Sequence, residues 1–437
     1  MKRRLDASNS YKKRAEKVVP HLTGTFSRAA PSFVEGVFPV YAKSAKGSHF
    51  TDVDGFEFID YLMGLGPITL GYNYEPVNEA IIAQLKDGIL FSLPHPIEVE
   101  LSELMCQTIP HAEMVKFEKS GSNAVTAAVR AARAYTKRDK IAYCGSGGVW
   151  HDWQAAMVSR DRGVPKFNSE LIKIFDYNDP DGLEQIFADN REVAAIVLEP
   201  TIYDQPNNNF LKRVRTLADE NNSLLILDEI VTGFRFDLGG AQKFFDIKGD
   251  LVCFGKGMGN GLPISAITGP SEYMKVFDEL WVSSTNNSEN LSLAGTRAVI
   301  NEMQEKNTIS HCWETGKKLF EGWNKIVDKF YLDAKMYGYP IRMHLQCFDS
   351  KKNESLAMQS LLLQEMIKNG IFMSVMGTSF ISYSHSQEDI DKTLSALETA
   401  CEYMVKNVTN DNYKNFLEGN LPKIIWSMKL SPVKKHD

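Results

Sequence analysis

The chain has 437 residues, 43% of them hydrophobic and 24% charged, with a formal net charge of -6. That length and apolar content suit one large globular domain with one or two smaller pieces rather than a single small core. The mild acidity gives no general reason to expect nucleic acid or an anionic membrane as a partner.

Six cysteines, at 106, 144, 253, 312, 347 and 401, are scattered without CxxC pairs, and some sit inside apolar runs. Reduced thiols in a cytoplasmic protein are expected, with no metal site and no disulfide framework. The start, MKRRLDASNSYKKRAEKVVP, is basic but has no apolar h-region, and no apolar run is long enough to cross a bilayer. It reads as an amphipathic arm lying on its own or a neighbouring subunit.

Residues 36–60 alternate apolar and polar around Asp54-Gly55, a hairpin signal. Tyr61 to Tyr74 is aromatic and punctuated by glycines, Gly66 among them, and reads either as a pocket-lining loop or as a tight structural crossing. Pro76 to Leu85 and Ile97 to Ile109 have helical patterns, the second after the break at Pro94-His95-Pro96.

Val115 to Phe117 is a short strand followed by Glu118-Lys119-Ser120-Gly121-Ser122-Asn123-Ala124 and then a helical run. Small residues at such a turn expose backbone N–H groups at the positive end of a helix, which suits a phosphate; a plain helix cap is the competing reading. Ile141 to Cys144 is another strand, running into GSGGVWHDW. There Trp150, His151 and Trp153 are candidates for ring stacking or substrate contact, set against the reading of a satisfied structural histidine.

Val193 to Leu198 is a buried strand that ends in Glu199-Pro200, and a helix follows near Phe210 to Glu220. Two more short apolar runs, Leu224 to Leu227 and Leu251 to Phe254, lead into Asp228 and, past Gly255, Lys256. A buried strand would not choose such residues for itself. In a doubly wound sheet, groups at the carboxyl ends of parallel strands face one ligand crevice. An isolated lysine and an isolated carboxylate placed there suit pyridoxal phosphate, held by the amine and partnered at its ring nitrogen by the acid. The alternative is a surface lysine in a glycine-rich loop and an aspartate that caps a helix.

Strand and helix alternate from about 115 to 268, which predicts a largely parallel α/β sheet. A long helical pattern runs from about Leu291 into the 320s. Ile341 to Phe348, Ile371 and Phe380 to Tyr383 then supply short strands of a separate α+β lobe. The predicted division is 1–60 for the arm and hairpin, 61–304 for the large α/β domain and 305–437 for the smaller domain.

DVDGFEFIDY at 52–61, the turn at 120–124, ARAYTKRDKI at 132–141, LEP at 198–200, LILDEIVTGFR at 225–235, FGKGMGNGLPISAITG at 254–269 and SFISYSHSQEDID at 379–391 cover nearly the whole chain. Together they resemble the class III (subgroup II) aminotransferases of fold type I, most of all glutamate-1-semialdehyde 2,1-aminomutase and its relatives. The resemblance implies a mostly parallel seven-stranded sheet with a smaller α+β domain, and pyridoxal 5'-phosphate as cofactor with pyridoxamine 5'-phosphate as its aminated form. It makes Lys256 the Schiff-base lysine and Asp228 the partner of the pyridinium nitrogen. Ser120, Gly121 and Ser122 would hold the phosphate, Ile230 would pack on one ring face, and Glu199 joins the cofactor set. Thr285 matches a threonine that reaches the phosphate from the neighbouring subunit, so a homodimer with shared sites is implied.

Three departures from the family pattern bear on function. The aromatic-His-Gly turn whose ring stacks on the cofactor is replaced by Ser146-Gly147-Gly148-Val149, leaving Trp150 as the candidate replacement. Asn287 and Ser288 stand where glycines usually follow the threonine. Ala30 occupies the place of the arginine with which the aminomutase grips its substrate carboxylate; Arg28 is close by but not equivalent.

The expected function is transfer of an amino group from an amino acid, glutamate foremost, to a small aldehyde or ketone. TFSRAAPSF at 25–33, MGLGP at 63–67 and ENLSLAG at 289–295 resemble relatives associated with surface polysaccharides and modified sugars, hence a sugar- or nucleotide-linked acceptor. Candidate substrate residues are Arg28, Gly66, His151 and Glu289. The alternatives are an intramolecular aminomutase, other chemistry on the same Schiff base such as racemisation, or a non-catalytic scaffold.

Overall fold

The computed structural model describes residues 5–145, 148–207, 209–375, 377–423 and 427. Its strands run, in chain order, β1 (Ala42–Lys46), β2 (His49–Asp52), β3 (Glu57–Asp60), β4 (Met114–Glu118), β5 (Lys140–Cys144), β6 (Ile172–Ile174), β7 (Val193–Leu198), β8 (Leu224–Glu229), β9 (Leu251–Phe254), β10 (Ser265–Gly269), β11 (Ala334–Tyr339), β12 (Arg342–Cys347), β13 (Ile371–Phe372) and β14 (Thr378–Phe380). The chain divides into two compact units, one of the described residues up to Tyr74 together with 310–423, the other of Glu75–Ile309 with Ser427.

The larger unit is built on a seven-stranded sheet in the order β4-β10-β9-β8-β7-β5-β6. β10 runs antiparallel to both its neighbours, and the strands from β9 through β8, β7 and β5 to β6 pair in parallel. Sheets of this kind need cover on both faces, which is why VAAIVL in β7 is buried at every position. One cover is the helix Gly121–Thr136, whose alanines and valines at 124, 125, 127, 128, 129, 131 and 132 pack into the core formed with β5, β7, β8, β9 and β10. Small side chains let this helix lie close to the strands. It stops at Lys137, which takes a left-handed conformation (φ 56°).

The other unit contains a four-stranded sheet, β1-β2-β3-β13, and a three-stranded one, β11-β12-β14. Its core is formed by the helices Thr308–Lys329, Leu356–Lys368 and Gln387–Asn407, with Trp323, Phe58 and Tyr61 among its largest buried side chains. Residues 61–74 lie in this unit, although the sequence suggested the large domain for them. The Tyr61 amide donates to the Phe372 carbonyl (2.9 Å), the Phe380 amide to that of Tyr61 (2.7 Å) and the Tyr383 amide to that of Thr69 (2.8 Å). Met63, Gly64, Leu65 and Gly66 all have positive φ. The buried Asp60 carboxylate holds this turn by accepting from the amides of Leu62 and Met63 and from the Tyr72 hydroxyl.

The long helical pattern after Leu291 is two helices, Asn290–Glu305 and Thr308–Lys329, broken where Asn307 turns left-handed (φ 49°). β14 begins at Thr378, two residues ahead of the expected start. Among the described residues no helix is long and apolar enough to cross a membrane.

Candidate active site

The carboxyl ends of β4, β5, β7, β8 and β9 lie at one edge of the sheet. Register places Leu198 beside Leu227 and Asp228 beside Cys253, so the next residue of β7, Glu199, stands next to Asp228. Alternation sends Asp228 to the face where Ile226 and Leu224 pack with the helix Gly121–Thr136, while Glu229 points to the opposite face.

The two acids of that pair have opposite fates. Glu229 is wholly buried and fully engaged: it accepts from the amides of Ala241 (2.8 Å) and Gln242 (2.6 Å) and from the Thr232 hydroxyl. It is a structural cap for the short helix Ala241–Phe244. Asp228 accepts one bond, from the Ile230 amide to Oδ1 (3.1 Å), and its other oxygen has no donor among the described residues. Burial, with the charge of Glu199 beside it, pushes the Asp228 carboxyl up to about 7, against the pull of the Ile230 amide and the Lys256 charge. The second oxygen of such an acid is open to a further N–H donor.

Lys256 opens the turn Lys256–Gly259 after β9 in a left-handed conformation (φ 37°). For a non-glycine residue this costs about 1–3 kcal/mol, strain that tends to persist at functional positions. Its charge is felt by Asp228, which brings the two residues into one electrostatic site.

At the start of the helix Gly121–Thr136, the Ser120 hydroxyl accepts from the Asn123 amide and donates to Asn123 Oδ1 (2.7 Å). The Ser120 carbonyl accepts from the Ser265 hydroxyl (2.8 Å), tying the turn to β10. The amides of Gly121 and Ser122 have no acceptor among the described residues, and the Ser122 hydroxyl reaches only the Gly148 carbonyl (3.3 Å). Two unused donors at the positive end of a long helix are a ready anion cradle. Ile230 lies beneath it: a Cβ on Gly121 would meet Ile230 at 2.9 Å and one on Gly255 at 3.1 Å.

Trp150 is 72% exposed, and its ring stands edge-on to that of His151, with centroids 4.4 Å apart. Ser146 and Gly147, half of the altered turn, lie outside the described residues. The Val149 amide donates to Gln154 Oε1 (2.7 Å), so the end of this loop is fastened to the helix Asp152–Ala155. His151 Nδ1 pairs with Thr126 Oγ1 (2.6 Å), which also accepts from Trp153 Nε1 (2.8 Å). Burial and the nearby Arg130 charge hold His151 below its usual range. Thr126 escaped the sequence reading because it sits mid-helix, one turn past Ser122, where hydroxyls usually face solvent.

Glu289 is the N-cap of the helix Asn290–Glu305, accepting from the amides of Leu291 (2.8 Å) and Ser292 (3.1 Å), from the Ser292 hydroxyl and from Lys119 (3.0 Å). Thr285 is exposed in a turn closed by Asn287, whose amide donates to the Ser284 carbonyl (3.2 Å). In the other unit, Arg28 donates to the Gly64 carbonyl (2.8 Å), and a Cβ on Gly66 would strike the Phe380 ring at 2.9 Å. Gly145 carried no sequence signal beyond following a strand, yet a Cβ there would lie 3.3 Å from Glu199 Oε1.

Residues 32–401 match the family model of class III aminotransferases. A glutamate-1-semialdehyde 2,1-aminomutase from Methanosphaera stadtmanae is 34% identical over 394 residues, covering 84% of this chain and 93% of that protein. A 3-aminobutyryl-CoA aminotransferase from Cloacimonas acidaminovorans is also 34% identical, over 91% of this chain and 97% of its own. A solved transaminase with pyridoxal phosphate bound superposes with a TM-score of 0.85 at 25% identity, over 92% of this chain and 99% of its own. The chain therefore belongs to the class III aminotransferases, enzymes of pyridoxal phosphate built on fold type I.

Proposed function

We propose that this chain is a transaminase that takes an amino group from an amino-acid donor, glutamate foremost, and delivers it to the aldehyde or ketone of a polar, sugar-like or nucleotide-linked acceptor. The observation that carries the reading is the half-satisfied Asp228 carboxylate, with Lys256 in its field and two unused amides at Gly121 and Ser122. A flat, anionic ligand with a ring N–H fits that donor and acceptor set.

When bound, pyridoxal phosphate supplies an electron sink that makes the Cα–H of an attached amine acidic and can retain its amino group. The chain's own residues do the rest. Gly121 and Ser122 hold the phosphate by backbone N–H, helped by the Ser122 hydroxyl. Ionised Asp228 keeps a proton on the ring nitrogen. Ile230 supports one ring face. Lys256 Nζ, once released by an incoming amine, moves the proton at the substrate carbon as base and then acid. His151, fixed by Thr126, is held neutral and oriented, a candidate for substrate contact.

The homodimer with Thr285 given to the partner's phosphate belongs to this proposal, as do the cytoplasmic setting and a role in surface polysaccharide synthesis. Its support is the exposure of Thr285 on a closed turn. The aminomutase reading rests on the name of the Methanosphaera relative and lacks the carboxylate-gripping arginine, since Ala30 stands there.

Absorbance of the purified protein tests the proposal. The visible band of lysine-bound pyridoxal phosphate should be bleached by glutamate with release of one 2-oxoglutarate per site, and Lys256→Ala should neither show the band nor regain it. A band that glutamate leaves unchanged, with no oxo acid released, removes glutamate as donor.

A further inference from the structure

Asp228 does not stand alone at the sheet edge. Glu199 follows Leu198, which pairs with Leu227, so the two acids lie side by side on adjacent parallel strands about 4.8 Å apart. Both side chains point to the face packed by the helix Gly121–Thr136, because Val197 and Ala195 on β7 and Ile226 and Leu224 on β8 already face it. Glu199 is buried, and its amide is fixed to the Cys144 carbonyl (3.1 Å).

The next strand makes room for it. Gly145, one residue past the Cys144 that pairs with Leu198, has no side chain, and a Cβ there would lie 2.7 Å from the Tyr143 hydroxyl and 3.3 Å from Glu199 Oε1. The glycine where β5 ends thus leaves space first for the Tyr143 hydroxyl and then for the Glu199 carboxylate.

We propose that Glu199 is a positioning residue for the cofactor's ring nitrogen: it places a second negative charge behind Asp228 so that one proton stays shared between the Asp228 carboxylate and that nitrogen. This inference rests on the proposed cofactor site. A second carboxylate beside Asp228 would deepen the negative field at the ring nitrogen, so the proton there would be held to higher pH than Asp228 alone would hold it.

On β8 itself Glu229 faces the other side of the sheet, bound to the Ala241 and Gln242 amides. On β9 and β5 the thiols of Cys253 and Cys144 are pushed well above their usual range by burial, so both are neutral. The Tyr143 phenol is the remaining titratable group at Gly145, and the covering helix brings alanines and valines. Glu199 is the foremost charge that raises the Asp228 carboxyl, Lys256 opposes it, and Glu229 adds a smaller push from the other face.

The experiment is equilibrium dialysis of the full-length chain against pyridoxal phosphate across the neutral and alkaline range. It compares wild type, Glu199→Gln and Glu199→Asp, with thermal melting at pH 7 as the check on folding. Wild-type binding tests the cofactor reading by itself; the pH at which affinity falls tests this one. Glu199→Gln should move that midpoint down by about one pH unit, and Glu199→Asp, which keeps the charge, should restore at least half of the shift. Coincident midpoints for wild type and Glu199→Gln overturn the proposal, as does an Asp variant that behaves like Gln. If Glu199→Gln does not fold, Gly145→Ala, which presses the Tyr143 hydroxyl and with it the neighbouring Glu199 carboxylate, should shift the midpoint in the wild-type background. An unshifted midpoint there is equally fatal.

Discussion

A methyl group on Gly121 would stand 2.9 Å from both Cδ1 and Cγ2 of Ile230. The neighbour is the side chain assigned to the cofactor's ring face, so it cannot yield without changing the site. Overpacking of this kind costs about 1–3 kcal/mol, or roughly five- to 150-fold in an equilibrium constant. Gly121→Ala should therefore weaken pyridoxal phosphate binding by about that factor, measured by dialysis, and Ile230→Val in the same chain should recover part of the loss. No recovery would mean that the glycine serves only its own backbone. Asp228 and Lys256 were legible in the sequence because each follows a buried apolar run that has no use for a charge. The Gly121–Ile230 and Gly145–Glu199 contacts were not, since they join residues that only the sheet order brings together.

At the scale of an element, the helix Asn290–Glu305 begins with a carboxylate that four donors occupy. Burial raises the Glu289 carboxyl, but the bonds from Ser292 and Lys119 outweigh it and hold the group below its usual range. A depressed carboxyl contributes stability that is present above its unfolded pKa and is lost as pH falls through the folded one. Glu289→Gln should thus lower stability at pH 7 by about 1–2 kcal/mol, seen in urea melts, and the deficit should shrink in acid. KM for the donor should not change; a raised KM at unchanged stability would return Glu289 to the substrate site. The sequence places Glu289 among the candidate substrate residues, and the structure adds its role as the cap of this helix. The α/β alternation was legible in β4, β5, β7, β8 and β9, whose apolar runs are bounded by polar turns. β6 and β11 were not, being a three-residue strand and one that carries Lys335, Gly338 and two tyrosines.

Over the whole molecule, the least settled surface is the stretch from Ile82 to Val99. There Ile82, Leu85, Ile89, Leu90, Phe91, Leu93 and Val99 are all exposed, Leu93 to 77%. Scattered surface apolar residues need no explanation, but so many within one stretch mark a contact face. The proposed homodimer supplies the occupant, and with it a use for the exposed Thr285, which would complete the partner's phosphate site. Complementation tests the sharing directly. Thr285→Ala dimers should bind pyridoxal phosphate weakly, by about tenfold or more for the loss of a bond to a charged group. Lys256→Ala dimers should be inactive. A dimer mixed from the two variants contains one site with both residues intact, made of Lys256 from one chain and Thr285 from the other. Mixing after gentle dissociation should then give more activity per Thr285→Ala chain than that variant shows alone, at limiting cofactor. If Thr285 instead served the site of its own chain, every site in the mixed dimer would lack one residue or the other. Activity would then stay at the level of the Thr285→Ala protein, and the shared-site arrangement would fall while the chemistry of Asp228 and Lys256 remained.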